Sequence, residues 1–262
     1  MERLQSIYYG KDKGYCRICG LEKELTRDHF PPNSSGNNQK IIINCGKSKI
    51  YSQNGMKYRT LCQKCNGELL SQLDNDLKKV YTQFQEFQND IRIYNSGFVG
   101  INVNQYRIAR ALLGHYLAVC FSDDYENEIK KPLDNSPFYE EIRKFILGEL
   151  INPSMVKIYY WYYPYDDIRF CQYEAYIPFM ARGNMRATFG GLLKYYPLAY
   201  WIVNIKNSSI LPNKLKNLIL KDEVTLMRIR SSEIFDIDFI EKPESEAAIL
   251  MSNNGRIYSE KY

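Results

Sequence analysis

Cys16-Arg17-Ile18-Cys19, Thr26-Arg27-Asp28-His29-Phe30-Pro31-Pro32 and Leu61-Cys62-Gln63-Lys64-Cys65-Asn66 follow one another early in this chain. Zinc takes four nitrogen or sulfur ligands in a tetrahedron, and one CxxC supplies two of them at the bite of a tight turn. Two matched pairs therefore predict a structural zinc site at Cys16, Cys19, Cys62 and Cys65, one that staples a segment with little core of its own. The pairing argues against a redox dithiol, and Cys45 stands outside both pairs. The second pair falls where the sequence turns helical, so backbone N–H groups help to hold the thiolate charge. Of the seven cysteines, Cys45, Cys120 and Cys171 are left over. Each reads as a small buried apolar side chain.

The bulk numbers describe an ordinary soluble protein. The chain has 262 residues, 45% hydrophobic and 25% charged, enough for a core that needs no disulfides. No apolar run approaches the length of a membrane span, and the N-terminus MERLQSIYYG lacks a signal peptide's apolar stretch. A cytoplasmic location and no membrane partner are the expectation, and a reducing compartment suits metal-binding cysteines. Net charge is +5, unevenly spread, since residues 1–66 hold twelve Lys/Arg against five Asp/Glu. A basic head beside a near-neutral remainder fits a polyanion partner.

The periodicities predict an α+β chain: a zinc-stapled N-terminal module, a helical middle and a β-rich C-terminal part. Residues 1–96 read as the module with its following helix, and 97–262 as a second domain that binds substrate or a protein partner. Asn54-Gly55 between residues 49–52 and 56–61 is a two-residue hairpin signal, and Ile41-Ile42-Ile43 is a further strand. Leu69, Leu70, Leu73, Leu77, Val80, Tyr81, Phe84 and Phe87 keep helical spacing from about Asn66 to Tyr94. Residues 103–121 predict a second helix. A third begins at Ser136-Pro137, an N-cap with proline at the first helical position. Residues 156–163 and 168–177 read as a hairpin, with further strands at 198–205, 223–230 and 234–240. Arg182 to Arg186 and Phe189-Gly190-Gly191 read as loops, Lys206 to Lys221 as a solvated basic stretch, and the end from Ser252 as a loosely held tail.

Within this frame the residues resemble the HNH endonuclease family, whose ββα-metal core is often set in a four-cysteine zinc scaffold. The resemblance covers roughly residues 14–75 and rests on both CxxC pairs, Asp28-His29 with Pro31 behind, Asn66 after the last cysteine, and Asp74 in the next helix. It implies a ligand of a catalytic divalent ion at Asp28, a general base at His29 and a second ligand at Asn66, an HNN-type variant. The family's middle Asn is missing, because Lys57 and Tyr58 stand where it is expected. Asn54 or Asn44 is left to fix the loop that carries His29.

The chemistry is sensible on its own terms. Phosphodiester hydrolysis needs an activated water and a cation where negative charge develops. Imidazole suits the first task near neutral pH. An oxygen-rich site of carboxylate and amide suits Mg²⁺ or Mn²⁺ better than zinc. Arg17, Arg27, Lys57, Arg59 and Lys64, with Lys23, are candidates for holding a phosphate backbone. The resulting expectation is a metal-dependent endonuclease acting on DNA, in restriction or anti-phage defence by analogy. A non-catalytic zinc-bound nucleic-acid or protein-binding module is the alternative, and an RNA-directed nuclease a further one. His115, inside an apolar helix, reads as a packed or partly exposed residue without chemistry, and Asp74 as an exposed helical carboxylate. The run Tyr159-Tyr160-Trp161-Tyr162-Tyr163 reads as a strand with aromatic side chains on both faces rather than a base-stacking platform.

Overall fold

The computed structural model describes residues 8–9, 12–35, 40–45, 48–52, 57–88, 98–119, 136–163, 168–181, 184–211, 215–229 and 257–261. The N-terminal part contains β1 (Tyr8–Tyr9), β2 (Lys13–Tyr15), β3 (Glu22–His29), β4 (Ile41–Cys45), β5 (Ser48–Ser52) and β6 (Lys57–Cys62). A π-helical turn, Lys64–Leu70, then runs into α1 (Ser71–Gln88). The middle holds β7 (Val99–Asn104), α2 (Gln105–Val119) and α3 (Pro137–Leu147). The C-terminal part contains β8 (Val156–Tyr162), β9 (Ile168–Ala181), β10 (Asn184–Tyr195), β11 (Leu198–Asn204), β12 (Lys216–Asn217), β13 (Val224–Ile229) and β14 (Ile257–Lys261). The chain is thus mixed α and β with a cluster of four cysteines. Among the described residues no helix is long and apolar enough to cross a membrane.

Among the described residues three sheets form: a small one in the order β1-β6-β3-β2, a large one in the order β12-β8-β11-β10-β9-β14-β4-β5, and the pair β13-β7. Several sequence expectations change here. Residues 49–52 and 57–62 do not form a hairpin, because β5 pairs with β4 in the large sheet while β6 pairs with β3 in the small one. The turn residues Asn54 and Gly55 lie outside the described residues. Strands β8 and β9 are not partners either; β8 lies between β11 and β12, and β9 between β10 and β14. Local alternation reports a strand but not its neighbour, which long-range packing selects. Residues 184–186 and 189–191, expected as parts of loops, belong to strand β10, and residues 257–261, expected as part of a loose tail, are strand β14 between β4 and β9. The strand expected at 234–240, the end of the first helix beyond Gln88 and Cys120 lie outside the described residues, as do the side chains of Cys45 and Cys171.

The helices follow from their sequences. On α1, Leu73, Leu77, Val80 and Phe84 keep a spacing of four, three and four, and all are buried. Helix α2 is buried almost all round, from Gln105 to Val119, apart from Arg107 and Arg110. Both arginines are tied down, Arg107 Nε to Asp76 Oδ2 at 2.7 Å and Arg110 Nη2 to the Ile146 carbonyl at 2.6 Å. An apolar helix without a solvent face belongs in the middle of a structure, and α2 is packed between α1, α3 and the small sheet. Helix α3 ends on Gly148 at φ 81°, a left-handed position that suits glycine.

One continuous core runs from Cys16, Ile18, Tyr58 and Leu61, through α1 and α2, to Ile158, Leu198 and Ile229. It crosses residue 96 without a break. The opposite face of the large sheet carries a second cluster of Tyr159, Trp161, Tyr163, Leu192, Ala199, Trp201 and Val203. The aromatic run of β8 is therefore packed on both faces, as alternation implies: Tyr160 joins the main core while Tyr159, Trp161 and Tyr163 join the second.

Candidate metal centre and adjoining cavity

The two CxxC pairs meet because β6 brings Cys62 beside the turn after β2. Cys16 accepts a hydrogen bond at its Sγ from the Cys62 N–H at 3.4 Å, and Gly20 closes the first knuckle through its N–H to the Cys16 carbonyl at 2.8 Å. Gly20 has φ 71°, which a side chain would resist. The four Sγ atoms lie within 4.8 Å of one another. The Cys19 and Cys62 sulfurs are 3.9 Å apart, close to the roughly 3.8 Å edge of a tetrahedron with Zn–S bonds of about 2.3 Å. The sulfurs also show why a cation belongs there. A hydrogen bond from Cys65 draws the Cys16 thiol down to about 5 against the cost of burial. Burial, then the neighbouring Cys16 charge, pushes Cys19 up to about 11. Cys65 is pushed up by its bond to Cys16, by burial and by the other sulfurs. Four thiolates this close repel one another unless a divalent ion sits among them. Donor set, spacing and burial all fit one zinc ion.

Beside this cluster, β3 and the π-helical turn bring the expected site residues to one cavity. The pairing of β3 with β6 is irregular between Thr26 and Asp28, a bulge that re-aims the strand next to the site. Asp28 is buried at 6% exposure, while His29 is half-buried at the end of β3 opposite Lys57. Asn66 lies in the first residues of the π-helical stretch, where the Ser71 N–H reaches back five residues to the Asn66 carbonyl. Its side-chain Nδ2 donates to Thr26 Oγ1 at 3.0 Å and to the Arg27 carbonyl at 3.2 Å. Thr26 Oγ1 spends its own hydrogen on the Leu61 carbonyl at 3.1 Å. Both partners must therefore accept, which makes the amide nitrogen the anchored end and leaves the oxygen as the end free to meet a cation. Asp28, His29, Asn66, Asp74, Arg27 and Lys78 are among the residues that line a cavity of about 560 Å³.

His115 is packed, as its sequence reads, but among partners the sequence does not show, and Asp74 departs from its reading. His115 is fully buried, and its ring stands between two carboxylates: Nε2 is 2.8 Å from Asp74 Oδ1 and Nδ1 is 3.3 Å from Asp28 Oδ2. The second approach has ion-pair distance but a poor hydrogen-bond angle. Burial opposes charge on this ring, yet Asp74 and then Asp28 outweigh it and push the group up to about 10. Asp74, read as an exposed helical carboxylate, is only 18% exposed and lines the cavity. The one sequence signal for His115 was a single ionisable histidine amid the apolar residues of α2. Its partners come from 41 and 87 positions earlier in the chain, so no local pattern reveals them.

The basic residues separate into groups. Arg27 is exposed at the cavity wall, and Lys64 is exposed at the start of the π-helical turn. Lys57 is half-buried, and burial followed by the nearby Arg27 charge lowers its pKa. Arg59 is ion-paired with Asp12 and only 17% exposed, so it contributes to the fold of the module rather than to its outer surface. Arg17 is half-buried, with its N–H on the Thr60 carbonyl at 2.9 Å. Lys78, which sequence reasoning missed, lines the cavity one helical turn beyond Asp74. Asn44 is in β4 of the large sheet, away from the pairing of β3 with β6, and Asn54 lies outside the described residues. No protein-family model, curated protein or solved structure matches this chain significantly.

Proposed function

We propose that this chain is a metal-dependent endonuclease that hydrolyses phosphodiester bonds in DNA, of the kind its sequence resembles, with a zinc-bound four-cysteine frame. The observation that carries the reading is the convergence of Asp28, His29 and Asn66 on one cavity beside that frame. These residues come from a strand end and a helix start 37 positions apart, and an arbitrary pair of surface segments has no reason to bring such a set together. In this reading Asp28 and Asn66, through its amide oxygen, would hold Mg²⁺ or Mn²⁺. The ion would supply positive charge where the leaving oxygen develops negative charge. His29 takes a proton from water as the water oxygen bonds to phosphorus and one ester P–O bond breaks; the departing oxygen is protonated from solvent. Arg27 and Lys78 at the cavity wall, with the exposed Lys64, would hold flanking phosphates in this reading. Restriction or anti-phage defence is the context we propose by analogy.

A specific observation favours a second reading, a non-catalytic zinc-bound nucleic-acid or protein-binding module. Asp28 already faces the His115 ring at 3.3 Å, and two neighbouring carboxylates favour the charged form of that ring over the opposing effect of burial, so the Asp28 charge has a partner without a metal. Plasmid DNA incubated with Mg²⁺ or Mn²⁺ and the wild-type chain, beside His29→Ala, separates the two. Nicking is expected from wild type only and is abolished by EDTA. Equal nicking by both chains removes the catalytic assignment. A gel shift of DNA without any cutting favours the binding module, and cutting of single-stranded RNA but not DNA selects the RNA-directed nuclease.

A further inference from the structure

Asp28 is buried and its Oδ2 lacks a hydrogen bond of good geometry; the group that faces it is His115 Nδ1, from α2, at 3.3 Å. The other ring nitrogen faces Asp74 Oδ1 at 2.8 Å. The ring thus sits between the two groups, hydrogen-bonded to Asp74 through Nε2 and packed at 3.3 Å against Asp28 through Nδ1. The ring itself is held firmly. It is 0% exposed, it lies against Phe30 with centroids 6.4 Å apart, and its helix is hydrogen-bonded to the small sheet through Thr60 Oγ1 to the Ala118 carbonyl at 2.8 Å. Gly114 beside it lets Leu70 close in, because a Cβ there would lie 2.3 Å from Leu70 Cδ2. With both nitrogens turned to carboxylates, His115 offers no lone pair to a metal in the cavity.

Resting on the nuclease reading above, we infer that His115 is a positioning residue: it bridges Asp28 and Asp74 and sets which carboxylate oxygens the cavity receives. A carboxylate whose inner oxygen is packed against a fixed, buried ring presents the outer one in a single orientation. A ligand that is free to rotate can still bind a cation, but at the wrong place for the chemistry. The inference therefore separates rate from affinity. Removing the ring should lower turnover without weakening metal binding, since both carboxylates remain and the ring itself is not a ligand.

The test uses the full chain as wild type, His115→Ala and His115→Gln, with folding checked by circular dichroism. Mn²⁺ binding is measured by electron paramagnetic resonance without nucleic acid, and plasmid nicking is measured across Mn²⁺ concentrations. In His115→Ala, turnover at saturating Mn²⁺ is expected to fall about 10- to 100-fold while the Mn²⁺ dissociation constant and the KM for plasmid do not rise. His115→Gln, whose single amide reaches one carboxylate, should fall between. His115→Gln decides the matter if His115→Ala does not fold. Unchanged turnover in folded variants overturns the inference and leaves the nuclease reading standing. Weakened Mn²⁺ binding with turnover restored at saturation also overturns it, because His115 would then act as a ligand. A wild-type chain that neither binds Mn²⁺ nor cuts overturns the nuclease reading, and this inference with it.

Discussion

His115 is charged in a place that water does not reach. The ordinary imidazole value of about 6.5 is raised to about 10 by two carboxylates that outweigh burial. A raised value means that the folded chain binds the proton more tightly than the unfolded one. The resulting stability is fully present below about pH 6.5 and is lost as pH rises through about 10. Urea unfolding at pH 6.5, 8 and 10 should show wild type exceeding His115→Gln by a few kcal/mol at the lowest pH, on the order expected for a broken buried pair, with the gap closing toward pH 10. A gap that widens with pH would mean that burial dominates instead. The cysteines make a separate prediction at this scale. Cys62 and Cys65 are almost fully buried, so Cys62→Ser should lose about one zinc per chain by metal analysis. It should also melt well below wild type, because structural zinc contributes folding energy directly.

At the scale of elements, β10 shows how a strand can look like a loop. Its glycines, Gly190 and Gly191, break the apolar alternation that marks a strand, yet both are required by close packing. A Cβ on Gly190, at φ +157°, would lie 1.8 Å from the Ile202 carbonyl oxygen of β11, and one on Gly191 would lie 2.3 Å from the Tyr116 ring of α2. The pairing of β9 with β10 shifts register between Gly190 and Leu192, the usual setting for glycine in a strand. Gly190→Ala should therefore destabilise by about 1–3 kcal/mol, an overpacking cost, read as a lowered denaturation midpoint with an unchanged slope. The same strand buries Lys194 fully, with Nζ 5.5 Å from the Tyr163 ring centroid and 5.9 Å from that of Trp161. An isolated lysine in a sequence does not reveal that two aromatic faces will receive its charge.

For the whole molecule, the head and body share one interior. Strands β4 and β5 leave the metal module to join the large sheet through β14, and α2 supplies the His115 ring that stands behind two of the cavity's carboxylates, Asp28 and Asp74. Gln105, at the start of α2, donates to Thr225 Oγ1 at 2.8 Å and accepts from the Ile219 N–H at 3.1 Å, which ties the helix to the C-terminal strands. A fragment of residues 1–96 lacks α2 and exposes Leu61, Leu70, Leu73 and Leu77, which the full chain buries. It should bind zinc through its four cysteines but show a broad thermal transition and no nicking, whereas the full chain melts cooperatively. A fragment that melts as sharply as the full chain would show the head to be autonomous.

The amino-acid sequence by itself determined the features that depend on near neighbours. Each CxxC sets its own bite, the three- and four-residue spacing of Leu73, Leu77, Val80 and Phe84 makes α1, Ser136-Pro137 starts α3, and the alternation of residues 156–162 makes a strand with two packed faces. It also placed Asp28, His29 and Asn66 in a set that the fold gathers at one cavity. Tertiary structure decided which strands pair, that residues 184–195 are extended, and that Arg59 turns to Asp12. It also decided that His115 and Asp74 belong beside Asp28. The physical reason is the range of the forces involved. Backbone geometry and periodic burial act over a few residues, while the partner of a buried charge or the edge of a sheet is chosen by whatever the completed core brings within a few ångströms.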